Sequence, residues 1–316
     1  MALVPVPIAT LGAEHSAQQF RMMIKDLARD NQGVTTGSDL KVTALSTPGA
    51  GVQIGDGSAV IAGKVSPVQG YYNAYNIGAD TVDISATGGT GRSDMLVLRV
   101  EDPEYEGTRD PAVDPIVFFE VIPNVSSSAT TVPAGYSAIP LARIDIPAST
   151  ATITNTMIKD LRKVANPRRE RSLYQHFYSG SLVELTGTST TWKDFPTTAN
   201  WQIAVPAWAG RVKVVFTVAG LRLTNANVVG GLTFTFGAKQ AAQDVHIDDN
   251  QNAGVRRITL VNADTMSLTD TLGAAMRGTN IILKSRMRTA SNNQGNIGVD
   301  IATTFIADVE FEEAAL

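Results

Sequence analysis

The 316-residue chain contains no cysteine and only three histidines. Without cysteine there can be no disulfide framework, thiol nucleophile, iron–sulfur cluster or cysteine-ligated zinc. His15, His176 and His246 are scattered, and no His-Glu-x-x-His or other close pair offers a metal two imidazoles. No Gly-x-Ser-x-Gly elbow marks a nucleophilic serine. Charged residues are scarce at 18%, against 43% hydrophobic, so the chain can bury cores and is not wholly disordered. Long apolar runs are missing too: Met95–Val100 is typical, and a membrane span needs about 20 residues. Met1–Thr10 has no basic residue and contains Pro5 and Pro7, which does not fit a signal peptide. These absences predict a soluble chain folded in a cytoplasm, with no membrane insertion, no cofactor and no catalytic apparatus.

What is present favours β structure. Threonine is abundant and clusters with Val, Ile and Gly, residues suited to pleated surfaces and turns. The length suggests two domains, since one core rarely grows past about 250–300 residues. We expect a mainly β chain with two β-sandwich-like domains, the C-terminal one jelly-roll-like, plus an N-terminal α-helix and a short linker helix. The expected organisation is an arm and helix over 1–35, a β-rich attachment domain over 36–166 and a C-terminal sandwich over 167–316.

The first ten residues read as an extended arm. A helix is expected over Ala13–Asp30, with Ala17, Phe20, Ile24 and Leu27 forming one narrow apolar stripe and Gly33 just past its end. So narrow a stripe suits a seam between copies of the helix, or equally a helix lying on its own domain's sheet. Thr154–Val164 reads as the short linker helix, ending before Pro167. Glu101–Asp114 reads as an acidic surface loop. In the second half Val212, Val214, Phe216 and Val218 alternate with other residues, as in a strand with one buried face.

Charge is uneven. The net charge is −4, yet residues 159–171 carry 6 basic and 2 acidic side chains. This is too small a footprint for nucleic acid as a partner. Arg162, Lys163, Arg168, Arg169 and Arg171 can meet phosphate, cap the short helix, or pair with the acidic N-terminal unit across a subunit interface. The last is preferred, because no aromatic residues interleave with them.

Two motifs fail. Gly57–Val65 has five residues between its glycines, where a phosphate loop has four, and lacks the magnesium-binding hydroxyl. Asp248, Asn250 and Asn252 start a calcium-loop spacing, but Ala253 and Thr259 replace the glycine and glutamate it requires. No metal is therefore expected, with Asp244, Asp248 and Asp249 as weak candidates. Trp192, Trp201 and Trp208 fall within 17 residues, with Tyr178 upstream. They pack a core or interface, or offer saccharide-stacking platforms.

Several stretches, taken in order, resemble minor tail or baseplate proteins of tailed bacteriophages, including receptor-binding ones. They are Gly70-Tyr71-Tyr72-Asn73, Gly91–Val100, Ala138–Ala148, Ile153–Arg162 and Trp201–Gly210. The resemblance covers nearly the whole chain as layout and short local patterns. It implies a homotrimer in the virion, on the tail tip or baseplate, bound to other tail proteins through its N-terminal region. It also implies an outward C-terminal sandwich that can touch host-surface glycan. Two alternatives share the scaffold. One is a polysaccharide-cleaving tail enzyme, drawing a carboxylate pair from Glu184, Asp194 and Asp244; the other is a capsid-decoration or head-fibre protein.

Overall fold

The computed structural model describes residues 7–251 and 254–316. The chain forms two compact units, one of Met1–Pro167 with Ala314–Leu316, the other of Arg168–Glu313. Residues 314–316 thus belong with the first unit rather than with the sandwich. Among the described residues it is a mainly β chain with two α-helices, and every strand pair in its sheets is antiparallel.

The first unit closes three small sheets around one core. One sheet joins Gly33–Val34, Gly57–Ala62 and Tyr71–Asn76, and a second joins Val42–Ala44, Gly51–Ile54 and Asp80–Asp83. The third runs Ile158–Asp160, Ala138–Ile146, Arg92–Val100, Val117–Val125. Val34, Ile54, Ile61, Leu96, Leu141 and Ile144 meet in the core. The acidic stretch Glu101–Asp114 is a loop of turns and bends.

The N-terminal helix spans Ala17–Leu27, shorter than its periodicity suggested. Ser16 caps it: its side chain accepts from the Gln19 backbone N–H, while the Gln19 side chain accepts from the Ser16 backbone. Arg29 and Asp30, both at positive φ, end it before Gly33 is reached. Gly33 answers a different need, since a Cβ there would lie 2.1 Å from the Lys163 carbonyl oxygen. Of the expected extended arm, residues 1–6 lie outside the described residues, and the chain turns at 8–9.

The expected helix over Thr154–Val164 is a correction. Asn155–Met157 is a single 3₁₀ turn, and Ile158–Asp160 is an edge strand paired with Ala142–Ile144. Ile153, Thr154, Thr156 and Ile158 are β-branched, and the Asn155 side chain accepts from the Ala44 backbone N–H. Both features favour extended over helical backbone.

Among the described residues the second unit is a sandwich of eight strands, four of them long and single and four broken in two. In chain order they are Arg169–Phe177 with Val183–Leu185; Lys193–Asp194 with Asn200–Ala204; Ala209–Asn225; Val228–Phe236; Lys239–Gln240 with Val245–Asp249; Arg256–Ser267; Asn280–Thr289; and Gly295–Val299 with Thr304–Glu313. Hydrogen bonding orders one sheet first–eighth–third–sixth and the other second–seventh–fourth–fifth. That is the two-Greek-key order of a jelly roll. The sheets face each other through apolar side chains: Phe216 lies 5.9 Å from Phe234, and Phe236 lies 6.2 Å from Phe311, between ring centroids.

Candidate functional site

The helix Ala17–Leu27 is fastened to its unit by an arginine. Arg21 is 8% exposed. Its Nε donates to the Gln69 carbonyl at 2.8 Å, its Nη2 to Glu104 at 2.7 Å, and its Nη1 lies 3.3 Å from Asp102. Tyr72 donates to the same Asp102 at 2.7 Å. Burial works against the Arg21 charge, but hydrogen bonds to Glu104 and Tyr105 outweigh it and hold the guanidinium above its ordinary range. Burial, then the bond to Asp102, pushes the Tyr72 phenol up as well.

With Arg21 turned inward, the expected stripe divides. Ile24 packs beside Ala28, Ala62 and Tyr71 on the sheet. Phe20 and Leu27 face outward at 47% and 72% exposure, with Met23 at 36% and Ala17 also exposed. An amphipathic helix normally buries its apolar stripe. Here the polar anchor is buried and most of the stripe is free on the isolated chain.

The basic segment does not reach for the acidic N-terminal unit as one group. Arg162 belongs to the first unit, with its side chain fully buried, bonded to Asp160 and to the carbonyls of Gly37, Asp39 and Leu316. Lys163 is exposed, and its backbone carbonyl accepts from Val34. Arg168, Arg169 and Arg171 belong to the second unit and pair with its own last strand. Arg168 binds Glu313, Arg169 sits by Glu310 and Glu312, and Arg171 binds Asp308. The register Arg169↔Glu312, Arg171↔Glu310 sets opposite charges across the pair.

The three tryptophans go to different surroundings. Trp201 packs edge-on against Phe216 at 5.9 Å, and its indole N–H points to the Gln175 carbonyl. Trp208 flanks the core under Arg168. Tyr178 also packs on the core and donates to the Ser181 carbonyl at 2.7 Å. Only Trp192 lies on the outer face of the second sheet, with the Arg288 guanidinium 4.5 Å from its ring centroid. The saccharide candidates therefore form no common platform.

Asp244, Asp248 and Asp249 are likewise not gathered. Asp244 is held by Arg288 at 3.2 Å and His246 at 3.3 Å, Asp249 by Arg256 at 2.5 Å, and Asp248 is exposed. Among the described residues no three His, Cys, Asp or Glu side chains converge for a metal, and no helix is long and apolar enough to cross a membrane. The carboxylates weighed for hydrolysis also have cationic partners: Glu184 has Arg222 at 2.9 Å, and Asp194 has Lys284 at 2.8 Å. Those carboxyl groups whose range moves, Asp145, Asp270, Asp300 and Asp308, all move down, each chiefly through a hydrogen bond from Arg or Lys.

Sequence reasoning passed over Arg21, Arg286 and Arg288. The signal for Arg288 was alternation: Lys284, Arg286 and Arg288 alternate with Leu283, Ser285 and Met287 along one strand.

No protein-family model matches the chain, and no curated protein matches it. Solved structures with some likeness include that of the infectious bursal disease virus Gx strain, at 10% identity and TM-score 0.26, over 90% of this chain and 75% of that one. The T13 viral particle of the same virus gives 9% identity and TM-score 0.27, over 94% and 81%. BuGH86 in complex with neoagarooctaose gives 10% and 0.24, over 83% and 32%. At TM-scores this low the likenesses carry no argument; the jelly-roll order stands on the chain's own hydrogen bonding.

Proposed function

We propose that the chain is a structural virion protein of a bacteriophage tail tip or baseplate. It assembles as a homotrimer through the outward stripe Phe20, Met23 and Leu27, attaches to other tail proteins by its N-terminal region, and presents the jelly roll for adsorption to host-surface saccharide. Its role is binding rather than catalysis. The observation that carries this reading is the inverted helix, with a buried arginine holding it and apolar side chains turned outward. A closed cyclic assembly around an axis covers such a stripe and leaves no open end. The resemblance of Gly91–Val100 and Ala138–Ala148 to tail proteins supports a place on the tail. The ion-paired state of Glu184, Asp194 and Asp244 supports binding over hydrolysis.

Immunogold labelling of intact virions with an antibody against the chain tests the location. Gold at the tail tip is expected, and gold on the head would overturn the reading. Pull-down of the purified chain on host cells tests adsorption, and no retention above a control protein would remove that part.

A further inference from the structure

One cavity in the first unit joins apolar walls to unpaired positive charge. It measures about 230 Å3, several times the share of about 30 Å3 that one water takes in the liquid. Val132, Pro133, Ile139, Pro140 and Leu161 supply apolar lining, and Lys64 and Lys163 line it as well. Both lysines are exposed, and neither ammonium has an ion-pair or hydrogen-bond partner among the described residues. Lys163 thus differs from Arg162, Arg168, Arg169 and Arg171, which are satisfied within their own units.

The acidic loop of the same unit carries the complementary feature. Glu101, Asp102, Glu104 and Glu106 meet Arg21, Arg99 or Arg109. Asp110 and Asp114 are left without a cation among the described residues. Between these two carboxylates Val113 projects at 79% exposure, in a turn held by four hydrogen bonds. The Asp110 carbonyl accepts from the backbone N–H of Val113 at 3.0 Å and of Asp114 at 2.7 Å. The Asp110 side chain accepts from the Ala112 N–H at 2.9 Å, and the Asp114 side chain from the Asp110 N–H at 3.0 Å. Pro111 adds a fixed φ inside the turn. A projection already ordered in this way loses little freedom on docking. None of residues 110–114 lines the cavity of its own chain.

We propose that Val113 of one copy seats in this cavity of a neighbouring copy, with Asp110 and Asp114 facing Lys64 and Lys163. An apolar side chain between two carboxylates matches an apolar cavity lined by two unpaired ammonium groups, and every copy carries one of each. A head-to-tail contact of this kind satisfies all copies when it closes into a ring. One side chain and two ion pairs bury far less than the roughly 1,200 Å2 of a stable interface. The contact therefore orients copies that the outward helix stripe holds together. In this the inference rests on the homotrimer reading and adds a second contact to it.

The absence of cysteine allows the contact to be trapped as a disulfide, which forms only where two Cα atoms come within about 7 Å. The full chain carrying Val113→Cys and Val132→Cys should link between chains under mild oxidation, giving two- and three-chain bands on a non-reducing gel. Each single-cysteine variant should stay unlinked. Ile77→Cys with Val132→Cys, whose first site is 86% exposed and lies outside the cavity, should link about tenfold more slowly or not at all. Adding Lys64→Glu and Lys163→Glu to the linking pair should slow linkage about tenfold, because both ion pairs become repulsive. Adding Asp110→Asn and Asp114→Asn keeps the accepting oxygens of the turn and should slow linkage several-fold. A trimer by sedimentation that stays unlinked, or links no faster than the Ile77→Cys control, would overturn the proposal and leave the homotrimer reading standing. A bond confined within one chain would overturn it too. Linkage running past three chains would keep the contact and remove the closed trimer, and an unlinked monomer would remove both.

Discussion

The two units bury different things. In the jelly roll the largest fully buried side chains are Phe216, Phe234, Phe236 and Phe305, stacked between the sheets. The first unit has aliphatic residues in that role, Leu40, Ile54, Ile61 and Leu141 among them, and it also buries Arg21, Asp94, Asp102 and Arg162. Apolar burial is non-directional, whereas a buried guanidinium is satisfied only by particular partners in particular places. The sandwich, whose one buried charge among the described residues is Glu313, is thus held chiefly by bulk and the first unit more by aim. Aim is what an outward-facing helix needs, because its own apolar stripe would otherwise turn it over.

That contrast can be broken from either side. Phe216→Ala removes a ring in contact with Trp201, Phe234 and Phe305 and should cost about 3–5 kcal/mol. Calorimetry should show the jelly-roll transition falling while the other stays. If both fall together, the units do not unfold separately. Arg21→Met keeps roughly the volume but leaves buried Asp102 without its cation, and should cost about 2–3 kcal/mol in the first unit. Hydrogen exchange should then quicken over residues 17–28 ahead of the sheets; a uniform change would contradict the anchoring role.

Acid sharpens the comparison. Asp145 in the first unit, hydrogen-bonded by Arg143, and Asp300 in the second, hydrogen-bonded by Arg257, both lie below the ordinary carboxylate range. A lowered folded value means their stabilisation is complete above the unfolded value, about pH 4, and is lost as pH falls through the folded value. Both groups are partly exposed, so each contributes below about 1 kcal/mol. Asp300→Asn should flatten the acid limb of the jelly-roll transition only, and Asp145→Asn that of the first unit only, in denaturation followed from pH 6 to pH 2.

Much of the jelly roll was legible in the sequence. The alternation Val212, Val214, Phe216, Val218 marks the strand that pairs on both sides, Ala209–Asn225. The partners of the basic linker are not legible locally: Arg162 is satisfied within the first unit, whereas Arg168, Arg169 and Arg171 pair with the last strand of the second. Asp308, Glu310 and Glu312 are the complement of Arg169 and Arg171 in an antiparallel register that neither segment states alone. The tryptophans were grouped by closeness in sequence, but strands and turns send Trp192 to an outer face and Trp201 to the core edge. At the helix, periodicity located the stripe. Which side faced the sheet depended on Arg21 finding Asp102 and Glu104, some eighty residues away.

Phe20→Ser with Leu27→Ser changes only exposed side chains, so it should leave the folded monomer within about 0.5 kcal/mol of wild type. Sedimentation equilibrium of this double variant beside the intact chain tests the outward stripe most directly. The account predicts about 100 kDa for the intact chain, three times its 33.5 kDa, and the monomer mass for the variant. A monomeric intact chain, or a variant that still assembles, would contradict it.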